Sequence, residues 1–300
     1  MSIEAFAAPG QFWRGNLHTH SNLSDGALAP EEVCRLYTDA GYDFLCLSDH
    51  FIARYQFPVA DTRPFRSNRF TTILGAEIHA PANSHGELWH MLAVGLPEDF
   101  PPTGETETGV ELSLRARAAG AFVGIAHPQW SSLSIEDGRS MLGAAHSIEI
   151  YNASCDVECA RPDGTYLLDA LLNEGNRLSA YAADDAHFRI DDGFRGWVMV
   201  KAQANDPTLL VEALKRGDHY SSQGPILHDV AVEGNEIRIN SSPASNFAVV
   251  GRGSRSLHVR PAKEATTMTL PAEKFTGDWC RVIIEDRYRR RAWTNPIWLS

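Results

Sequence analysis

Short apolar runs alternate with segments of helical spacing from residue 13 to about residue 220. Residues 13–20 read as a strand. Residues 29–40 read as a helix, because Val33, Leu36, Tyr37 and Ala40 fall on one face. Pro30 suits its first turn, Glu31 and Glu32 suit its positive end, and Gly41 suits its stop. Residues 43–50 form the next expected strand, followed by 72–79, 88–96, 121–127, Ser147–Asn152 and 178–187. Helices are expected over 110–119, 165–174 and Pro207–Arg216, the last capped by Asp206 and ended by Gly217. The alternation predicts a parallel α/β arrangement.

The texture changes after the Ser-Ser-Gln-Gly-Pro segment at 221–225. Residues 226–300 hold short alternating runs punctuated by Gly, Asn, Ser and Pro, as in a small antiparallel β domain. The division expected is therefore an α/β unit over 1–225 and a β domain over 226–300. The length of 300 residues allows both. Hydrophobic residues at 43% and charged residues at 22% provide for a buried core and exclude wholesale disorder. The net charge of −11 argues against a nucleic-acid polymer as partner. No apolar run is long enough to span a bilayer, and the N-terminus lacks the basic and apolar regions of a secretory leader. A cytoplasmic, reducing setting is expected. The cysteines at 34, 46, 155, 159 and 280 are odd in number and do not form a disulfide framework. Cys155 and Cys159 lack the second half of a zinc site, and Cys34 and Cys46 read as core.

The histidines change the picture. His18 and His20 are two apart, so a strand would project both to one side. Ser24-Asp25-Gly26 follows. Asp49 and His50 end an apolar run, Glu77 and His79 share a face, and His90 lies inside another apolar run. His127 precedes Pro128, and Asp185 and His187 share a face with Asp184 turned away. Each feature alone has a bland reading as a turn, a surface pair or a hydrogen-bonded core group. Together they place His, Asp or Glu at successive strand ends, where α/β folds collect their sites. Neutral imidazoles and carboxylates are ligands for Zn, Mn or Fe. One ion cannot use them all, so a multinuclear site follows.

This ordered set, H-x-H, S-D-G, S-D-H, G-x-E, an internal His before L-x-V-G-L, A-H-P and D-x-H, resembles the PHP (polymerase and histidinol phosphatase) family over residues 13 to about 190. The segments 147–152, 220–225 and 292–297 look like the branch that includes carbaryl-type carbamate hydrolases. The resemblance implies a distorted (β/α)7 barrel followed by the small antiparallel β domain, with two or three divalent metal ions. It implies His18, His20, Glu77 and Asp185 at the first ion, with Glu77 bridging to a second completed by His90 and His127. Asp25, His50 and His187 would hold a third, and Asp49 would orient a ligand. His79 departs from the small hydroxyl residue many members carry there, and is a candidate for substrate contact or an altered metal site.

The function expected is metal-dependent hydrolysis, first of a phosphoester, by a water that the ions make acidic enough to attack at neutral pH. His187, His127 or His79 would protonate the leaving oxygen. Arg54, Arg189 and Arg195 are candidates for binding an anionic substrate. A carbamate or ester hydrolase on the same ions is the alternative. A non-catalytic metal-binding module that recruits a partner through its β domain is the reading from another class. The partner expected is a small anionic or ester substrate. Nucleotide-loop and nucleophile-elbow motifs are absent from the sequence.

Overall fold

A computed structural model describes residues 3–299 of the chain. Helix α1 (Glu4–Ala7) precedes strand β1 (Gln11–Asn16), helix α2 (Pro30–Asp39), β2 (Phe44–Leu47) and the two-residue β3 (His50–Phe51). β4 (Thr71–Ala80) and β5 (Trp89–Val94) come next. α3 (Gly109–Ala118) leads to β6 (Phe122–Ile125), and α4 (Ile135–Ser140) leads to β7 (Ser147–Asn152). α5 (Ala153–Cys159) and α6 (Thr165–Asn173) lead to β8 (Ser179–Ala183), followed by β9 (Trp197–Ala202), α7 (Pro207–Arg216) and β10 (His219–Ser222). The remainder is β11 (Leu227–Glu233), β12 (Glu236–Ala244), β13 (Asn246–Gly251), β14 (Ser256–Val259), β15 (Ala265–Pro271), β16 (Trp279–Glu285), β17 (Arg291–Thr294) and β18 (Ile297–Trp298).

Local chemistry sets several of these boundaries. Asp206 accepts hydrogen bonds from the Thr208 and Leu209 amides, and Gly217 ends α7 at φ 81°. Thr108 and Glu111 cap α3 reciprocally.

The main sheet runs β14-β13-β16-β17-β10-β9-β1-β2-β4-β5-β6-β7-β8. It is mixed, which corrects the expected parallel arrangement. β1, β2 and β4 are parallel neighbours, as are β6, β7 and β8. β5 is antiparallel to both β4 and β6, and β9 is antiparallel to β1. The β4–β5 connection spans only residues 81–88 and holds no helix, too little for a crossover, so β5 folds straight back. The inversion matters for the site. His90 is the second residue of β5, so it stands at the end of the sheet where β2, β4 and β6 finish.

β1 ends at Asn16, before the expected histidine pair. The chain beyond it meets the exit of β8: the Asp185 amide donates to His18 O at 2.8 Å and the His20 amide to Ala186 O at 2.9 Å. An isolated bridge pairs Thr19 with Ala186. No ladder joins β8 to β1 along its length among the described residues.

Helices α3 and α6 pack on one face of the sheet and α7 on the other, since neighbouring residues of β5, Met91 and Leu92, belong to different clusters. Leu112 and Ala116 of α3 and Leu168 and Leu171 of α6 share one buried cluster with Ile78, Met91, Ile125 and Ile148. A second cluster joins Leu17, Phe44, Leu92, Phe122 and Tyr181 to Leu210 and Leu214 of α7. Gly124 leaves room for the Tyr181 ring, since a Cβ there would sit 2.5 Å from Tyr181 Cε1. The Tyr181 hydroxyl donates to Ile125 O at 3.1 Å, just below His127.

The sheet does not stop at residue 225. β17 pairs antiparallel with β10, with Tyr220 opposite Thr294 and Ser222 opposite Ala292. Trp279 and Trp293 belong to the same buried cluster as α6. Arg281 makes a two-pronged ion pair with Asp169 of α6 at 2.8 Å. Among the described residues, only β11, β12 and β15 form a separate sheet. The arginines of the β16–β17 turn face their own acids, Arg290 toward Asp286 at 2.8 Å and Arg291 toward Glu285 at 3.2 Å. Cys34, Cys46, Cys155, Cys159 and Cys280 are all free. Among the described residues no helix is long and apolar enough to cross a membrane.

Candidate metal centre

The chemistry-bearing residues sit where strands end at one edge of the sheet. His18 and His20 lie on the exit of β1, and Asp25 lies in the loop that follows. His50 opens β3, Glu77 and His79 lie on β4, and His90 lies on β5. His127 follows β6, and Asp185 and His187 follow β8. Two of these residues hold left-handed backbone, His127 at φ 24° and Asp185 at φ 56°. Such conformations cost energy in non-glycine residues and persist where surrounding contacts fix them. Here the His127 amide donates to Glu149 Oε2 at 2.6 Å.

The Glu77 carboxylate is fully buried at the middle of the group. Its Oε1 lies 2.7 Å from His90 Nδ1 and 3.1 Å from His127 Nε2. Its Oε2 lies 2.6 Å from His50 Nδ1, 3.6 Å from His20 Nε2 and 3.7 Å from His18 Nε2. Asp185 Oδ1 is 2.9 Å from His20 Nε2 and 3.1 Å from His18 Nε2. Asp25 stands 3.4 Å from both His50 Nε2 and His187 Nε2.

The ligand-type atoms fall into overlapping sets, each within 4.8 Å: His20, Asp25, His50 and His187; His50, Glu77, His79 and His90; His18, His20 and Asp185; His18, Glu77 and His127. Glu77 Oε2, His18 Nε2 and His20 Nδ1 are buried without a hydrogen-bond partner. For Glu77 this holds despite the 2.6 Å approach of His50, which is close but misaligned for a hydrogen bond. Buried polar atoms are ordinarily paired. Lone pairs that crowd together without bonding one another fit a cation between them, so the donor set suits divalent metal ions.

Supporting contacts fix the rings. His18 Nδ1 lies 3.1 Å from Glu149 Oε1, His127 Nδ1 lies 3.1 Å from Ser131 Oγ, and His187 Nδ1 lies 2.8 Å from Asp185 O. A ring that donates through Nδ1 presents the Nε2 lone pair inward, as metal-binding histidines do. Among the described residues Asp49 makes no hydrogen bond to a histidine ring. It accepts from the Ser21 amide at 2.8 Å, the Ser21 hydroxyl at 2.7 Å and the Ser24 hydroxyl at 2.6 Å, and so holds the loop carrying His20 and Asp25.

Sequence reasoning missed Glu149 and Asn152 as members of this network. The Asn152 amide donates to Glu149 Oε2 and to Asp185 Oδ2, both at 3.0 Å. The signal was an acid between Ile148 and Ile150 in a wholly buried strand. Asp184 turns away from the cluster, as its place beside Asp185 predicts. Asp184 accepts from the Tyr37 hydroxyl at 2.7 Å and from the amides of Phe194, Arg195 and Gly196 at 2.9, 2.7 and 2.8 Å.

A pocket of about 280 Å³ opens over the cluster, lined in part by His50, His90, His127, Trp130, Asp185 and Arg189. Trp130 meets the His90 and His127 rings edge-on at 5.5 and 5.0 Å. Arg189 lines the pocket, and its Nε donates to Asp25 O at 2.8 Å. Arg195 is outside the lining and pairs with Asp191. Arg54 is outside it too, with its guanidinium 5.2 Å from the Tyr55 ring centre. His79 is buried and is not a lining residue. A larger cavity of about 440 Å³ lies between α1 and the C-terminal strands, away from the ligand-type clusters.

Burial disfavours charge throughout the site, yet pairing overrides it. His50 is pushed up to about 11 by Glu77 and Asp25 despite its burial. His187 is raised to about 9 against the same burial by Asp25 and Asp185. Burial, helped by His187 and His50, lowers His20 to about 4. Glu77 and Asp185 stay well below the usual carboxylate range, because the surrounding histidines outweigh their burial.

Metal loading at pH 7 is therefore expected to release protons, because His50 and His187 carry them and a ligating imidazole must be neutral. Affinity should weaken as pH falls. In the metal-free chain the sign is opposite. The two raised histidines stabilise the fold fully below about pH 6.5, and that contribution is lost as pH rises through about 9 and then 11. An ion at a hundred times its Kd adds about 2.7 kcal/mol, a rise in Tm of about 4 °C for a chain of this size. Titration of weakly buffered, chelator-treated protein with Mn or Zn, followed by a melting scan, checks both. The absence of both proton release and a shift in Tm would count against a metal centre.

No family model matches the sequence, and no curated protein matches it. Solved structures do. A two-domain protein from Bacteroides vulgatus, described as containing a predicted PHP-like metal-dependent phosphoesterase, superposes with a TM-score of 0.54. It is 14% identical, and the match covers 97% of this chain and 97% of that one. An amidohydrolase from Chromobacterium violaceum with bound sulfate is 16% identical over 59% of this chain and 89% of that one, at a TM-score of 0.45. PsfC from Pseudomonas syringae is 14% identical over 68% of this chain and 88% of that one, also at 0.45. The last two superpose too loosely to define a fold. The first shows that the chain has a PHP-like fold over almost its whole length, so the resemblance drawn from the motifs is borne out at that level.

Proposed function

We propose that the protein is a metal-dependent hydrolase acting on a small phosphoester. The observation that carries this is the convergence of His18, His20, His50, His90 and His127 on the buried Glu77 carboxylate, with buried lone pairs left unpartnered. In this reading the first ion takes His18, His20, Glu77 and Asp185, the second Glu77, His90 and His127, and the third Asp25, His50 and His187. The arc from β1 to β8, drawn together at Thr19 and Ala186, is read as the distorted (β/α)7 barrel. Ions held there supply a water acidic enough to attack at neutral pH and a Lewis acid for the substrate oxygen.

The chain's own residues provide the rest. Glu149 and Asn152 hold His18, His127 and Asp185 in place. Trp130 walls the mouth against the His90 and His127 rings and limits water there. Arg189 sits at the rim for an anionic substrate, and the pocket of about 280 Å³ suits a small molecule.

A carbamate or ester substrate is the second reading, favoured by the scarcity of cations. Arg189 is the arginine among the lining residues, while Arg195 is paired with Asp191 and Arg54 faces Tyr55. Nitrophenolate release from para-nitrophenyl phosphate, a phosphodiester, an acetate and a carbamate, each under Mn, Zn and Fe, tests the two. Turnover of the phosphoesters alone is the expected result. Turnover of only the acetate or carbamate would replace the phosphoester with a carbonyl substrate, and silence on all four would count against hydrolysis.

A further inference from the structure

His79 stands apart from the nine residues assigned to the three ions, and its geometry asks for a partner. It follows Glu77 by two along β4, so both side chains leave the same face. It is also the direct cross-strand partner of His90 on the antiparallel β5, which brings the two imidazoles together. A separate register sets His50 opposite Glu77. Two backbone ladders therefore gather His50, Glu77, His79 and His90 into one set, with ligand-type atoms all within 4.8 Å.

The His79 ring is buried and held at both ends. Its Nδ1 lies 3.2 Å from Trp89 O, a carbonyl that can only accept, so Nδ1 carries the hydrogen. Nε2 is then a lone pair. It lies 2.9 Å from His50 Nδ1 and 3.7 Å from Glu77 Oε2. Glu77 Oε2 lies closer to that same His50 nitrogen, at 2.6 Å. The hydrogen on His50 Nδ1 is aligned with His79 Nε2 and misaligned with Glu77 Oε2, so in the metal-free chain it occupies the position an ion would take between them. An imidazole whose outer nitrogen is tied to a backbone carbonyl, with its inner lone pair aimed at a carboxylate and a second imidazole, is the usual arrangement of a metal-bound histidine.

We propose that His79 Nε2 is a metal ligand, completing with Glu77 and His90 the set for one ion. The inference rests on the metal-dependent reading above and adds to it one imidazole donor. Its consequence is selectivity. A position with an added nitrogen ligand favours zinc over manganese more strongly than one rich in oxygen ligands.

The test uses the full-length chain. Long-range proton–nitrogen NMR of the histidine rings, recorded metal-free and after zinc loading, is expected to show His79 Nε2 shifting on loading while Nδ1 stays protonated. Spectra of His79→Gln and His79→Asn assign the signal, with circular dichroism reporting their fold. Zinc and manganese titrations of the variants are expected to show zinc affinity at one position reduced by about tenfold or more, with manganese affected less. A loaded wild-type protein whose His79 Nε2 does not shift would overturn the proposal, as would folded variants that hold zinc as tightly as wild type. His79 would then be a wall residue accepting the His50 proton. If the wild-type chain itself retains neither metal, the metal-dependent reading fails first and the inference falls with it.

Discussion

Glu77→Gln is expected to remove turnover and metal retention together while the chain stays folded. Both oxygens of this buried carboxylate face imidazole nitrogens, and each of the sets centred on β4 and β6 includes it. Gln matches its size but not its charge, and it replaces one lone-pair face with an NH2 group. Losing a group that only supports a metal ligand costs roughly 10–100-fold in affinity, and losing a carboxylate shared between ions costs more. The fold should tolerate the change because the cluster can adjust its protons. Glu77 is the foremost of the groups raising His50 against its burial, so without it the ring holds its proton less firmly, with Asp25 still beside it. Metal content after dialysis, a melting scan and the nitrophenyl assay measure the three parts. Full metal content, or full activity, in a folded Glu77→Gln protein would sink the assignment of the centre.

A chain ending at residue 225 is expected to be insoluble or unfolded. Trp279 and Trp293 are buried in the cluster that includes Leu167, Leu168 and Leu171 of α6. Removing a buried aromatic side chain costs about 3–5 kcal/mol, and two such losses approach the whole stability of an ordinary domain, about 5–15 kcal/mol. The cut also strips β17 from β10 and leaves a new sheet edge, an invitation to aggregation. Arg281 goes too, leaving Asp169 without its two-pronged partner. Soluble yield and a urea unfolding curve, set against the full chain, decide the matter. A truncated protein that is soluble, cooperative and fully active would make residues 226–300 an independent module rather than part of the same core.

The fold and the site were legible to different depths. Helix α7 appears over the residues expected, because Asp206, Pro207 and Gly217 mark its limits by local chemistry alone. Helix α2 and strand β7 behave alike. The direction of β5 was not legible. Residues 88–96 read as an apolar strand whichever way the chain runs, and only the short connection before it reverses its sense. The same reversal makes His90 and His79 cross-strand neighbours, a pairing that depends on register and not on either residue. The histidine pair at 18 and 20 was expected inside a strand. It lies just beyond one, because the chain there bonds to the exit of β8 instead of continuing the β1 ladder.

By itself the sequence determined the alternation of elements, the helix ends, the antiparallel character of the last strands and the inventory of ligand-type residues. These depend on near neighbours, on side-chain period and on capping, all of which are local. The tertiary structure alone decided that the sheet is mixed and that it runs on from β10 into β17. It alone decided that Glu149 supports the His18 ring while Asp49 holds the loop carrying His20 and Asp25, and that His79 faces Glu77 and His50 instead of the open pocket. Those outcomes rest on which strands pair and in which register. Pairing sums contacts between residues far apart in the chain, and no local pattern encodes that sum.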